Sequence, residues 1–369
     1  MPLSRIQPDR YQDLLTQKIH SVSELMSPFS PPAPQSYASP PTGFRLRAEF
    51  KMWHEGDDLH FVMFRKENPK VPVVLTEFPI ADKRIQQTMP VLRELLRESD
   101  ILHRKLFQVE FLVSLAGDLL ISLIYHRRLE QAWEIAALNL VTELQSHAIR
   151  VSVIGRSRKQ KLVIGNDFAR EVLPINGEDF RYRQYEQSFS QPNGLVNILM
   201  IEWVCKQASN LCGDLLELYC GNGNFTLPLS RHFDYVIASE VSKMSIKAAR
   251  ENLVDNGIEN VLLVRLSAEE VSQAITAKRV FRRLHYLPKA LDQFNLNTLL
   301  VDPPRAGLDE HTVKMASQFP AVLYISCNPH TLKRDLQTLH KTHDVAQFAL
   351  FDQFPYTDHV ECGMLLTRR

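Results

Sequence analysis

The sequence predicts an α/β protein in two parts, a doubly wound and mainly parallel sheet closed by an antiparallel strand pair, preceded by an α+β half. Three observations predict it. After about residue 190, continuous apolar segments (DLLELYCG, YVIASE, VLLVRL, NTLLVDPP, AVLYISCN) alternate with helical stretches, as strands buried on both faces of a parallel sheet do. Before that point, FRLRAEFKMWH and LHFVMFRK alternate apolar with charged residues, the pattern of half-exposed antiparallel strands. At the C-terminus VAQFALFDQFP and ECGMLLTRR follow one another without room for a helix, so they read as an antiparallel closing pair joined by a short turn.

Taken in order, residues 1–30 are helical, with Tyr11, Leu14, Leu15, Ile19 and Val22 on one face. SPFSPPAPQSYASPPTG follows. Its prolines exclude regular structure and leave a linker or an ordered extended arm. This gives a first segment, 1–43. The α+β half, 44–190, holds the two alternating strands, a helix over 81–97, strands LFQVEFLVSL and LLISLIYH, a helix over 129–146, and strands RVSVIG, KLVIG and a run near 178–185. The third segment, 191–369, has helices at 194–208, 225–232, 243–256, 268–276, 309–318 and 330–340 between its apolar strands, with an irregular basic insert reaching 295.

Bulk properties exclude several classes. Hydrophobic residues make up 44% and charged residues 23%, ordinary for a globular chain, and the formal net charge of +1 announces no nucleic-acid partner by itself. No apolar run reaches the roughly 18 residues of a membrane span, and MPLSRIQPDRYQDLL lacks the apolar centre of a signal peptide, so a cytoplasmic protein is expected, with a monomer as the default. The five cysteines (205, 212, 220, 327 and 362) form no CxxC pair, which argues against zinc and iron–sulfur sites and predicts no metal.

Three motifs carry chemistry. In ELYCGNGNF, Gly221 and Gly223 let a ligand approach the backbone where a strand turns into a helix. Nineteen residues beyond Gly221, the next strand ends in Glu240, placed to accept both hydroxyls of a ribose. A dinucleotide fingerprint wants GxGxxG and a phosphate loop wants Lys followed by Ser or Thr; neither is present, and the pattern suits S-adenosylmethionine, which has no phosphate to cradle. The bland alternative is a structural glycine turn. In VDPPRAGLD the two prolines fix a turn that aims Asp302 across the strand tips. In YISCNP, Asn328 and Pro329 stop a buried strand one residue past Cys327, presenting a thiol at the carboxyl edge, where chemistry occurs in such sheets. A thiolate adds to polarised double bonds such as uracil C5=C6, and the C5 proton must later be removed by a base. Asp358, His359, Glu361 and Cys362 are candidates; Glu361 opens an apolar strand, where burial raises a carboxyl pKa.

ELYCGNGNF, VDPPRAGLD, SCNP and HVECG together resemble the RNA 5-methyluridine methyltransferase family, and within it the branch that acts on tRNA. The similarity extends to FRLRAEFKMWH, HRKLFQVEFL and LFDQFPYT. The resemblance implies a class I S-adenosylmethionine-dependent methyltransferase fold, Rossmann-like, with an N-terminal RNA-binding domain. It implies Cys327 as nucleophile, Glu361 as proton acceptor, and cofactor contacts from Gln191, Tyr219, Gly221, Asn224, Glu240 and Asp302. It also implies uridine 54 of the tRNA T loop as target, with the T-loop-like arm of tmRNA as a second substrate. The ribosomal branch adds a barrel domain and four cluster cysteines, and the 5-methylcytosine enzymes add a Pro-Cys with a second catalytic cysteine; this chain has neither pattern. Amino-group methyltransferases place an aromatic residue where Arg305 stands.

A base in a T loop must be flipped to reach Cys327. Basic clusters that could hold the RNA are Arg45, Arg47 and Lys51; His103, Arg104 and Lys105 beside Phe107; Arg156, Arg158, Lys159 and Lys161; and Lys278, Arg279, Arg282 and Arg283. Taken singly, each reads better as a solvated surface; four together favour a phosphate footprint. Phe107 reads either as a stacking platform for a loop base or as a core residue. The same basic surface would serve an alternative function, a tRNA-folding protein whose methylation is secondary.

Overall fold

The chain starts its sheet from the N-terminal segment. In the computed structural model, which describes residues 5–65, 68–276, 279 and 281–369, helix α1 (Tyr11–Met26) buries Tyr11, Leu15, Val22 and Met26. The proline-rich arm is extended, and Gln35–Tyr37 forms a short strand, β1, between its prolines. The expectation that the prolines exclude regular structure fails there. Gln35, Ser36 and Tyr37 keep their N–H groups, so three residues suffice for a parallel edge.

A seven-stranded sheet follows, built from β2 (Arg47–Glu55), β3 (Asp58–Arg65), β4 (Asn68–Val74), β5 (Leu106–Val113), β6 (Leu119–Tyr125), β7 (Val151–Ser157) and β8 (Gln160–Ile164), in the order β4-β3-β2-β5-β6-β7-β8. Helices α2 (Lys83–Glu98), α3 (Asp100–His103) and α4 (Gln131–Ser146) accompany it. The sheet is antiparallel, as expected for β2 and β3, except at β6–β7, which pair in parallel. The cause is α4: a 16-residue helix between two strands returns the chain to the starting edge. At Gly155 of β7 an added Cβ would lie 2.5 Å from the Trp133 ring of α4, so only glycine lets the helix approach the sheet this closely.

The hairpin of β9 (Phe168–Ile175) and β10 (Glu178–Tyr185) turns at Asn176-Gly177, both at positive φ, as a two-residue hairpin loop requires. Then come α5 (Gly194–Ala208), β11 (Asp214–Leu218), α6 (Thr226–Leu229), β12 (Val236–Ser239), α7 (Lys243–Asp255), β13 (Val261–Val264), α8 (Ala268–Ile275), β14 (Leu296–Val301), α9 (Glu310–Ala316), β15 (Ala321–Ser326), α10 (Pro329–Leu339), β16 (His343–Phe351) and β17 (Glu361–Arg368). Strand order is β1-β16-β17-β15-β14-β11-β12-β13, parallel except for β17, which lies antiparallel between β15 and β16. This is the doubly wound sheet with a reversed strand that defines the class I methyltransferase architecture. The connection between β16 and β17 is Asp352–Val360, a loop rather than the short turn expected.

The chain divides into two compact units. Pro40–Val172 and Arg183–Gly194 belong to the first; Asp9–Ser39, Leu173–Tyr182 and Leu195–Arg369 belong to the second. In the second, Val22, Met26 and Phe29 of the N-terminal segment share one apolar core with Leu216, Leu299, Val322 and Leu350 of the sheet. No helix among the described residues is long and apolar enough to cross a membrane.

Candidate active site

The strand order reverses between β11 and β14, since β12 and β13 extend to one side and β15 to the other. The carboxyl ends of β11 and β14 therefore border the crevice where open α/β sheets bind ligands. The chain leaves β11 through Tyr219, itself at φ 62°, and passes Gly221 and Gly223 at φ 57° and 92°. A Cβ on Gly223 would meet Leu227 at 2.5 Å, so that glycine serves packing; a Cβ on Gly221 would meet nothing within 4 Å, so that glycine borders open space. The Gly221 N–H donates to Glu240 Oε2 (3.1 Å), and Glu240 Oε1 accepts from the N–H groups of Val241 and Ser242 (2.7 and 2.8 Å). The carboxylate is thus fixed at the rim of the turn with lone pairs left for further donors. Asn224 exchanges two amide hydrogen bonds with Asn197 of α5 (2.9 and 3.0 Å) and its carbonyl accepts from the Tyr182 hydroxyl. The Tyr219 hydroxyl is pushed up to about 12 by burial first and by Asp309 second.

Two acids lie beneath. Asp302, the first residue after β14, is raised to about 7 by burial. Glu217 of β11 is 2% exposed and raised to about 8, by burial first and then by Asp302, and its Oε2 has no hydrogen-bond partner. A fixed carboxylate for a diol, an open glycine edge, and the buried Glu217 with the half-buried Asp302 to answer a positive charge fit S-adenosylmethionine, a cationic nucleoside without phosphate. Among the described residues no group of three His, Cys, Asp or Glu could hold a metal ion.

Register brings together the candidate thiol and a candidate base. Ser326, the last residue of β15, pairs with Cys362 of β17. Cys327 and Glu361 each lie one residue beyond that pair, so the ladder sets them opposite one another. Glu361 is 4% exposed, and no hydrogen bond or ion pair reaches its carboxyl among the described residues. Burial, then the charge of Asp302, holds its pKa well above the usual carboxylate range; Arg305 works in the opposite direction. Cys327 is half-buried and its thiol is raised to about 11, by burial first, then by Glu361 and Asp302, again opposed by Arg305. The turn carrying Arg305 is anchored beside the thiol: Asn328 Nδ2 and Thr331 Oγ1 both donate to the Arg305 carbonyl (3.0 and 3.3 Å). Asn328 also caps α10 by accepting from the His330 N–H (3.1 Å). Asp335, 2% exposed, accepts from the Leu308 N–H and the Tyr324 hydroxyl (2.9 and 2.7 Å), joining that turn to β15.

Residues 10–369 match the family described as tRNA (Uracil-5-)-methyltransferase. The chain belongs to this family. Similar curated proteins named tRNA/tmRNA (uracil-C(5))-methyltransferase include one from Aromatoleum aromaticum, 50% identical over all of this chain and 98% of that protein. Another, from Dechloromonas aromatica, is 48% identical over the full length of both. A solved structure, the Pyrococcus abyssi tRNA (uracil-54, C5)-methyltransferase in complex with S-adenosyl-L-homocysteine, superposes with a TM-score of 0.73 at 21% identity, covering 97% of this chain and 83% of that one, and shares the fold.

Family membership leaves open which first-unit side chains face outward, and the structure sorts them. Arg47 donates to the Ser188 carbonyl (2.6 Å) and to the Glu186 carbonyl. Arg156 binds the Glu186 carboxylate through two nitrogens, both at 2.5 Å, and Lys161 binds Asp167 (2.7 Å). All three cations are tied to partners within the protein, Arg47 and Arg156 half-buried and Lys161 still exposed. Lys51 donates to Gln108 and lies 3.8 Å over the Phe107 ring. Phe107 is an exposed residue stacked on His126 (4.1 Å, 22°), which excludes the core reading. Arg104, Lys105, Arg158 and Lys159 are exposed. His126, Arg128, Arg158 and Lys159 border an open cleft of about 870 Å³. Gln191 belongs to the first unit, and its Oε1 is buried without a hydrogen-bond partner. Of the insert, Lys278 lies outside the described residues; Arg283 pairs with Glu270 (2.6 Å) and Arg279 lies over Phe281.

Sequence reasoning missed Asn197, Glu217, His126, Arg128 and the charge of Arg305 beside Cys327 and Glu361. A signal existed for two of them: Asn197 interrupts the apolar run GLVNILM and Glu217 the strand DLLEL.

Proposed function

We propose that this protein transfers the methyl group of S-adenosyl-L-methionine to C5 of uridine 54 in the T loop of tRNA, and to the matching uridine in the T-loop-like arm of tmRNA, working as a monomer in the cytoplasm. The observation that carries this reading is the rung that sets the Cys327 thiol opposite the buried, unpaired Glu361 at the edge of the cofactor crevice. The names of the curated relatives support the substrate.

When bound, the cofactor supplies an electrophilic methyl group on a sulfonium. Glu240 and the Gly221 edge would hold its nucleoside, with Tyr219, Asn224 and Asp302 around it and Gln191 as a further contact. Cys327, its proton given up to solvent, would add to uracil C6; the C5=C6 electron pair would move to C5, which would take the methyl group as the methyl–sulfur bond breaks and leaves a neutral thioether. Glu361 then accepts the C5 proton, C5=C6 re-forms, and the C6–S bond breaks to release thiolate. A thiol at about 11 is mostly protonated at neutral pH, so the positive charge of Arg305 beside it favours the reactive form. A carboxyl raised by burial is a stronger base than a solvated one, which suits removal of a carbon-bound proton. On the RNA side, Arg104, Lys105, Arg158 and Lys159 would neutralise phosphates, and Lys51 with the Phe107–His126 stack would receive an unstacked base.

Tritium at uracil C5 of unmodified tRNA tests the reading. The wild-type protein releases tritium with the cofactor present, and Cys327→Ala releases none and forms no covalent complex with RNA. Methyl transfer to RNA without tritium release would sink the C5 mechanism.

A further inference from the structure

We infer that α1 acts as a strap that positions Glu361, through Lys18 and Tyr11 gripping the loop between β16 and β17. This rests on Glu361 as the proton acceptor. The loop Asp352–Val360 delivers the chain to Glu361, and three points along it are tied to one lysine. Lys18 Nζ donates to Asp352 Oδ1 (2.6 Å), to the Phe354 carbonyl (3.1 Å) and to the His359 carbonyl (2.9 Å), two residues before Glu361. An ammonium has three donors, so its hydrogen bonds are complete. The pair is enclosed, with side-chain exposures of 10% for Lys18 and 1% for Asp352.

Tyr11 holds the same carboxylate from its other oxygen. Its hydroxyl donates to Asp352 Oδ2 (2.9 Å) and accepts from the Ser39 N–H (2.7 Å). Its ring lies edge-on to Tyr356 within the loop, at 6.0 Å. The Asp352 N–H donates to the Tyr37 carbonyl (3.0 Å), one residue past the pairing of Tyr37 with Phe351, and Phe351 is the partner of Glu361 across β16–β17. Both ends of the N-terminal segment thus converge on the loop and on the first rung of β17. A surface helix kept only for stability would need its apolar face, and α1 has one in Leu15, Val22 and Met26. The buried ion pair with two backbone carbonyls adds geometry, because a charge taken out of water tolerates few arrangements.

Lys18 and Tyr11 are therefore positioning residues for proton removal, and their loss should affect that step before any other. Lys18→Met keeps the stem and removes the donors. With C5-tritiated tRNA it should release tritium at least about tenfold more slowly than wild type while the covalent protein–RNA complex accumulates, with cofactor affinity unchanged. Hydrogen–deuterium exchange should quicken over 352–361. Lys18→Arg should recover most of the release rate. Tyr11→Phe, which removes one hydroxyl and keeps the fold, should show the same accumulation more weakly, and it decides the matter where Lys18→Met does not fold. Release and exchange equal to wild type in the folded variants would overturn the strap. So would adduct formation falling in parallel with release, since that marks general damage. Failure of the wild-type protein to release tritium would instead overturn the proposed reaction, and exchange over 352–361 would still report whether the strap holds the loop.

Discussion

Two glutamates, one in each unit, are almost equally buried and entirely differently served. Glu186, at 3% exposure, receives two nitrogens of Arg156 and the Ser122 hydroxyl (2.9 Å). Glu361, at 4%, receives no hydrogen bond among the described residues and faces a thiol and a second acid. Burying a carboxylate costs several kcal/mol unless donors answer it. The first unit answers that cost locally, and its glutamate is architecture. The second leaves it unanswered, which holds the proton on Glu361 to higher pH. The two do not differ in burial; it is the missing partner that makes Glu361 a candidate for function.

The sharpest way to break this comparison is to neutralise each acid. Glu361→Gln should lower tritium release about a thousandfold, in the range of a lost general base, while retaining the covalent RNA complex and the melting temperature. A melting temperature that falls with activity would make Glu361 structural after all. Glu186→Gln should do the reverse, destabilising the first unit by about 1–3 kcal/mol because the half-buried Arg156 is left without its charge partner, with the rate per folded molecule retained. Urea unfolding beside single-turnover kinetics reads both.

A smaller effect follows from pH. Glu217 and Asp302, raised to about 8 and about 7 from ordinary values of 4.5 and 3.8, bind protons in the folded state over a window where the unfolded chain has released them. Their contribution is complete below about pH 4 and is lost as pH rises through 7 to 8. The unliganded protein should therefore lose stability across pH 5–8, by up to about 1.4 kcal/mol per pH unit for each group, and Glu217→Gln should flatten that slope. A slope of the opposite sign would show that carboxylates with partners dominate the second unit too.

The smallest effect concerns cations. Arg158→Ala and Lys159→Ala should weaken RNA binding evenly across sequences and lower the salt slope by about 1 each. Arg47→Ala should leave the salt slope alone and lower the melting temperature, because its guanidinium is held by two backbone carbonyls.

Much of the second unit was legible in the chain. The apolar strands, the glycine turn, Glu240, Asp302 and Cys327 all stand at strand ends, and a strand end is a local event written in a few residues. The order of the elements and the side each acid occupies along its strand follow from the same short-range patterns. What remained hidden depends on contacts between distant segments. That Glu361 faces Cys327 is fixed by the register of β15 on β17. That Arg47, Arg156 and Lys161 are tied to protein partners depends on Glu186, Ser188 and Asp167 arriving beside them. That a proline-rich arm becomes a strand, and a lysine of the first helix holds a loop more than 330 residues away, depends on the edge of β16 being unpaired until the N-terminal segment reaches it. Local sequence determines which residues can end a strand, cap a helix or approach a ligand, because those preferences are settled by neighbouring atoms. Pairing, burial and charge balance are decided only when the chain has folded, because each is a property of two segments at once.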